Sequence, residues 1–322
     1  MGFRRMISWL LRSPMRLELV YKIDDTTNNL RLRGFLQLVL IPLGLLNLGR
    51  LMLMPKSSKT YRYRLSIVTI VKNEAPYLKE WIEYHLSVGV EHLYIYDNDS
   101  QDNLYDVLKD YQRYVTVKKI HGVVRQFDAY NDAINRYRYI TKYMAILDAD
   151  EFLFRPGKDK ELPSFIDDLL SNNSYGGLAV NWALFGSSGF EKKPSGLVTD
   201  NFVYRAHDDF YKNRLVKTIC NPRKVFYFSV SHAANYLPGF FAINENRKRV
   251  DWVTTKTPSI NKIRINHYYS KSKEEFLRKR ARGAGDVVGL RDLSEFDEHD
   301  KNDVLDDSLR VYNRESGLHK EK

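Results

Sequence analysis

Beyond residue 61, short apolar runs alternate with stretches of helical periodicity, the sequence form of a mostly parallel α/β sheet. Residues 65–71 (LSIVTIV) are a β-branched run suited to a buried strand. Asn73-Glu74-Ala75-Pro76 follows, a cap candidate with a proline suited to a first helical turn. Leu78, Trp81, Ile82, His85 and Leu86 then recur at helical spacing, and Gly89 supplies the stop. Residues 93–96 predict a second strand. The polar stretch 97–102 opens a helix in which Leu104, Val107, Leu108 and Tyr111 share one face. Residues 115–120 predict a third strand, and Tyr130, Ala133, Ile134 and Tyr137 mark the next helix. It leads into residues 143–147 (YMAIL), an apolar strand that stops abruptly at Asp148-Ala149-Asp150-Glu151. These carboxylates therefore fall at a strand's C-terminal end, the edge where ligands bind in open α/β sheets.

The second half is less regular. An apolar run at 177–185 precedes the loop Gly186-Ser187-Ser188-Gly189, and strands near 216–220 and 225–230 predict mixed or antiparallel pairing. Residues 263–266 lead to His267-Tyr268-Tyr269. Ser272-Lys273-Glu274-Glu275 matches a capping box opening a basic helix that stops at Gly283. From residue 286 onward the chain reads as a polar tail. The expected organisation is a hydrophobic helical segment at 1–60, an α/β domain at 61–285 and the tail at 286–322.

Arg4, Arg5, Arg12 and Arg16 interrupt the early apolar runs, so no cleavable signal peptide is expected. Residues 34–49 (GFLQLVLIPLGLLNLG) carry no charge, yet they are shorter than the roughly 20 apolar residues a spanning helix needs. Pro42 interrupts them, and Arg31, Arg33 and Arg50 flank them. Two readings are open: a segment lying in a membrane interface, or a hydrophobic hairpin packed on the main domain. With 43% hydrophobic and 28% charged residues, the chain has material for a sizeable core. The net charge of +11 favours an anionic partner such as a membrane face, a phosphate-bearing substrate or nucleic acid. Cys220 is the single cysteine, which excludes an intramolecular disulfide and a cysteine-rich zinc site. The expected location is cytoplasmic, peripheral on the inner face of the plasma membrane.

Asp148 and Asp150, one residue apart on a strand-end turn, suit a single hard cation such as magnesium or manganese. Such a cation bridges the two phosphates of a nucleotide diphosphate and neutralises charge on the departing group. The ordered blocks at residues 66–102 (SIVTIVKNEAPYLKEWIEYHLSVGVEHLYIYDNDSQD), Gln126, 143–153 (YMAILDADEFL), 181–189 (NWALFGSSG) and 266–283 (NHYYSKSKEEFLRKRARG) resemble glycosyltransferase family 92 and its bacterial family-2-like relatives. The resemblance implies a GT-A fold, a UDP-sugar donor with galactose the leading candidate, a divalent cation and inversion at the anomeric carbon. It also implies a glycan or glycolipid acceptor, in bacterial surface polysaccharide or lipopolysaccharide synthesis.

Carried over residue by residue, the resemblance assigns Lys72, Asn73, Glu74, Asp97, Asn98, Gln126 and Asp148 to the donor. A carboxylate such as Asp97 accepts charge-assisted hydrogen bonds from ribose or base, with a turn-forming role as the alternative. Asp148, Asp150 and His267 are the metal-site candidates, with His232 as the rival histidine and Glu151 as an orienting neighbour. Trp182, Gly186, Ser187 and Ser188 are assigned to the acceptor, since an aromatic face stacks on sugar C–H surfaces and glycine permits close approach. Core packing is the alternative for Trp182. Asp200 is the candidate catalytic base, where the family pattern has a glutamate before an Arg-Phe pair and this chain has Thr199-Asp200-Asn201-Phe202. Glu191, Asp208 and Asp209 are its competitors. The basic helix 271–282 reads either as a phosphate-neutralising face or as a solvated one.

Two other classes fit less well. A haloacid-dehalogenase phosphatase also has a strand ending in Asp-x-Asp, but it places Thr or Val where Phe152 stands. A basic nucleic-acid-binding module lacks any RNA-binding signature here, so no nucleic acid is expected.

Overall fold

The computed structural model describes residues 41–157, 161–281 and 292–318. The apolar segment ends as helix α1 (Ile41–Leu53), with Pro42 in the first turn, where no amide donor is needed. The part of the apolar run before residue 41 lies outside the described residues, as do Arg282 and Gly283. The regular half follows as β1 (Tyr63–Val71), α2 (Ala75–Ser87), β2 (His92–Asp97), α3 (Leu104–Leu108), β3 (Val115–Lys119), α4 (Gln126–Tyr137) and β4 (Thr141–Ile146). Gly89 ends α2 with a left-handed φ of 96°. The fourth strand closes one residue before Leu147, and the Asp148 turn runs straight into β5 (Glu151–Phe154).

The irregular half comprises α5 (Leu162–Leu169), β6 (Tyr175–Leu184), the short helix α6 (Val198–Asn201), β7 (Tyr204–Arg205), β8 (Val216–Cys220) and β9 (Val225–Phe228). Then come β10 (Ala234–Tyr236), β11 (Phe241–Ile243), β12 (Arg249–Val250), β13 (Arg264–His267) and α7 (Lys273–Ala281). The main sheet has the order β12-β11-β6-β8-β4-β1-β2-β3, with β13 joining β6 to β5. Strands β1 to β4 pair parallel, whereas β8 runs antiparallel between β4 and β6. This is the mixed, mostly parallel, Rossmann-like sheet expected from the sequence, flanked by helices. Leu78, Trp81 and Ile82 of α2 pack with Leu65 and Ile67 on one face, and Ala129, Tyr130 and Ile134 of α4 pack with Val68 and Met144 on the other.

Two expectations change. The tail is folded onto the domain as α8 (Ser294–His299), β14 (Val304–Leu305) and α9 (Ser308–Ser316). β14 pairs with β7, and Asp306 holds both Arg205 (2.8 Å) and Arg264 (2.7 Å), so a charged sequence docks by ion pairs that composition does not reveal. The described end of the apolar N-terminal segment is a helix packed on the domain along one side, not a hairpin. Leu51, Leu48 and Met54 pack on Phe226, Tyr227, Leu237 and Phe240, while Leu46 and Leu53 stand 69% and 89% exposed. No helix among the described residues is long and apolar enough to cross a membrane.

Candidate active site

The loops after β1 and β2 are stitched to each other. Asn73, in the left-handed region at φ 54°, accepts from the Gln101 amide through Oδ1 (2.7 Å), and Ala75 donates to Asp102 (2.9 Å). Asp97 accepts from the Ser100 amide (2.9 Å) and the Tyr105 hydroxyl (2.8 Å). Asn98 donates to the carbonyls of Ile120 and Gly122. These sequence-assigned donor residues therefore share one edge, where Glu74 is buried and Lys72 is exposed, but Asp97 and Asn98 hold the loop's own backbone.

The Asp148 turn is held differently. Asp148 accepts from Lys217 of β8 (2.7 Å) through Oδ2 and from Gln126 of α4 (3.0 Å) through Oδ1, and its amide donates to Glu151 (2.8 Å). Gln126 thus reaches the turn, and it also donates to the Tyr130 hydroxyl (2.7 Å). Lys217 is 1% exposed and lies 3.5 Å from Glu151 as well. Burial opposes charge on Asp148, but the Lys217 ammonium outweighs it and holds the carboxyl below its usual range. Burial wins at Glu151 and pushes it up to about 8 despite the same ammonium.

Asp150 is brought to His267 by the sheet itself. β13 pairs antiparallel with β5, with His267 opposite Glu151, and the Tyr268 amide donates to the Asp150 carbonyl (2.9 Å). Asp150 Oδ1 lies 3.6 Å from His267 Nε2, and Oδ2 accepts from Lys279 of α7 at 2.5 Å. The Lys279 ammonium also donates to the Tyr269 carbonyl and sits 3.9 Å from that ring's centre. Burial opposes ionisation of Asp150, yet Lys279 and His267 hold it well below the usual carboxylate range. Burial lowers His267 from its ordinary value, against the pull of Asp150.

Trp182, at the end of β6, stands 4.2 Å from His267 and 5.2 Å from His232 between ring centres. The Trp182 indole N–H, His267 Nδ1 and Glu151 Oε1 are buried with no hydrogen-bond partner, an unusual concentration for a native interior. His232 is turned to the Val216 carbonyl (3.0 Å) and lies behind Trp182.

The remaining assignments are placed elsewhere. Asp200, expected as the base, is buried and accepts from Asn313 of α9 (2.8 Å), while its carbonyl accepts from Arg310. It anchors the C-terminal helix. The Gly186-Ser187-Ser188 loop, expected to face the acceptor, is covered by residues 300–302: the Ser187 amide donates to Asp300 (2.6 Å) and the Ser188 amide to Asn302 (2.8 Å). A Cβ at Gly186 would meet the Lys301 carbonyl at 2.5 Å, so glycine here admits the chain's own C-terminal segment. Among the rival bases, Asp208 is paired with Arg205 (2.6 Å) and Glu191 is 78% exposed. Sequence reading missed Lys217. Its trace in the sequence is a lysine inside the apolar run VKTIC.

Among the described residues no three His, Cys, Asp or Glu side chains group closely enough to hold a metal alone. Asp150 and His267 nonetheless fit one. Atoms 3.6 Å apart suit neighbouring positions on a cation with bonds of about 2.0–2.2 Å, and such cations commonly take only one or two protein carboxylates beside substrate phosphates.

A mannosyltransferase of known structure from Pyrobaculum calidifontis, in complex with GDP-Man and Mn2+, aligns over 42% of this chain and 41% of its own, at 18% identity and a TM-score of 0.30. A galactan beta-1,4-galactosyltransferase of Arabidopsis thaliana is 33% identical over 118 residues, 32% of this chain and 23% of that protein. A glycosyltransferase family 92 protein of Oryza sativa subsp. japonica is 28% identical over 214 residues, 61% of this chain and 36% of the relative. The chain spans less than half the length of the plant family 92 relatives it matches. The model of glycosyltransferase family 92 matches residues 65–288, well over half of the chain, and this protein belongs to that family.

Proposed function

We propose that this chain is a glycosyltransferase that moves a hexose, galactose in the first instance, from a UDP-sugar to a glycan or glycolipid acceptor with inversion. One observation carries the reading: the turn after β4 that holds Asp148 and Asp150 meets His267, at the end of β13, beside buried polar atoms without partners. A bound manganese or magnesium ion supplies charge neutralisation of the leaving diphosphate. Asp150 and His267 hold it in this reading, and Asp148 orients from Lys217. Lys279 of α7, paired with Asp150 here, would supply an ammonium for the donor phosphates where a cation took that carboxylate. Galactose is supported by the Arabidopsis galactan relative.

The setting we propose is surface polysaccharide or lipopolysaccharide assembly, with the chain peripheral on the inner face of the plasma membrane. The exposed leucines of α1, close to Arg50 and Lys56, support contact with an anionic bilayer. The test is UDP release from a panel of UDP-sugars with manganese, in the absence of acceptor. UDP-galactose is expected to be cleaved fastest and EDTA to stop the reaction. No release from any UDP-sugar overturns the reading.

A further inference from the structure

A cavity of about 730 Å³ opens on the sheet surface behind the Lys217 ammonium, and none of the residues assigned above lines it. Its position follows from strand alternation. On β8, Lys217 turns toward Asp148, whereas Val216 and Thr218 on either side of it point to the opposite face and floor the cavity with Ala179 and Ala242. These short side chains leave the space empty. Its size falls within the range of about 300–1,000 Å³ usual for ligand pockets.

Aromatic rings line it: Tyr227, Tyr236, Phe240 and Phe241, with Trp252 39% exposed. Polar groups are interleaved rather than clustered. Asn235 donates to Ser229 (3.0 Å), and Arg249 is already paired with Asp251 (2.7 Å). A neutral ligand with apolar faces and a hydroxylated edge suits such a lining, because sugar C–H surfaces stack on rings while hydroxyls exchange hydrogen bonds with the rim.

The cavity is joined to the active site through one loop. Ser229 and Ala233 line it, and His232 between them lays its ring against Trp182, the neighbour of His267. Thr218, on the floor, fixes that loop by donating to the His232 carbonyl (2.9 Å). On the far side, Tyr227 and Phe240 are the same rings against which Leu51, Leu48 and Met54 of α1 region pack. The cavity thus lies between the Asp150–His267 pair and the helix that exposes Leu46 and Leu53.

We propose that this cavity is the acceptor subsite and that its ligand is a neutral oligosaccharide, stacked on Trp252 and the inner rings. This rests on the glycosyl-transfer reading above. The test uses the full chain with β-1,4-galactotetraose as probe, followed by tryptophan fluorescence and saturation-transfer NMR, and with UDP plus manganese followed by calorimetry. Trp252→Ala is expected to weaken oligosaccharide binding about tenfold, and Ser229→Trp, which fills the cavity, to abolish it. UDP binding should stay within twofold of wild type in both. Oligosaccharide binding that is absent from the wild type, or unchanged in both folded variants, overturns the inference, as does a parallel loss of UDP binding. Oligosaccharide binding at the cavity without UDP binding by the wild type leaves the subsite standing and defeats the transferase reading instead.

Discussion

The two acidic loops at the C-terminal sheet edge are satisfied in opposite ways. After β2, Asp97 and Asn98 hydrogen-bond to backbone and to Tyr105, all within residues 97–122, and the loop closes on itself. After β4, Asp148 and Asp150 are balanced by ammonium groups brought from Lys217 and Lys279, on strands and helices distant in sequence. A backbone-capped carboxylate is a scaffold. A carboxylate held by a lysine is a charge balance that a cationic or phosphorylated ligand can rewrite.

The difference is sharpest at Lys217, which is buried between Asp148 and Glu151. Lys217→Met leaves the part-buried Asp148 carboxylate and the buried Glu151 without their cation and is expected to cost about 3 kcal/mol in urea denaturation. Asn98→Ala, in the self-closed loop, removes the two hydrogen bonds to the Ile120 and Gly122 carbonyls and should cost only about 1–2 kcal/mol. Equal costs would erase the distinction between the loops.

Between these lies a pH effect at the base of the scaffold. His85 Nδ1 lies 2.8 Å from the Trp81 carbonyl and Nε2 accepts from the Leu153 amide (3.3 Å), which fixes one neutral tautomer. Burial pushes it down to about 3 from 6.5. Above 6.5 its contribution is complete, and as pH falls below 6.5 the unfolded chain takes up a proton that the folded chain refuses. Stability attributable to His85 should drop by roughly 2–3 kcal/mol between pH 7 and 4.5. The difference in urea stability between wild type and His85→Leu, measured across that range, checks it. A pH-independent difference would contradict the assignment.

A smaller effect is expected at Lys279. Lys279→Met removes the ammonium that competes for Asp150, so manganese binding to the nucleotide-free protein, read by electron paramagnetic resonance, should tighten about tenfold, or about 1.4 kcal/mol. Unchanged or weaker manganese binding would mean that Lys279 does not occupy the cation's place.

The regular half was legible because its periodicity is local. LSIVTIV lies within β1, and the helical face from Leu78 to Leu86 lies within α2. The capping box at Ser272 and Glu275 is present with reciprocal bonds of 3.3 and 3.2 Å. What escaped reading depends on pairing across the sheet. Lys217 meets Asp148 only because β8 inserts antiparallel beside β4, and nothing within VKTIC announces that. The Asp200 assignment failed to anticipate α9, whose buried positions Leu309 and Asn313 are too few to stand out in a charged sequence. The glycine of the 186–189 loop was legible as a close approach, but its partner, Lys301, was not.

The central claim is that Asp150, paired with His267, is where a cation and a nucleotide diphosphate meet. Calorimetric titration of UDP in the presence and absence of manganese, into wild type and Asp150→Ala of confirmed fold, tests it most directly. Wild type should bind UDP only with manganese, and Asp150→Ala should lose at least about 100-fold in that affinity. Undiminished manganese-dependent UDP binding by folded Asp150→Ala would contradict the account.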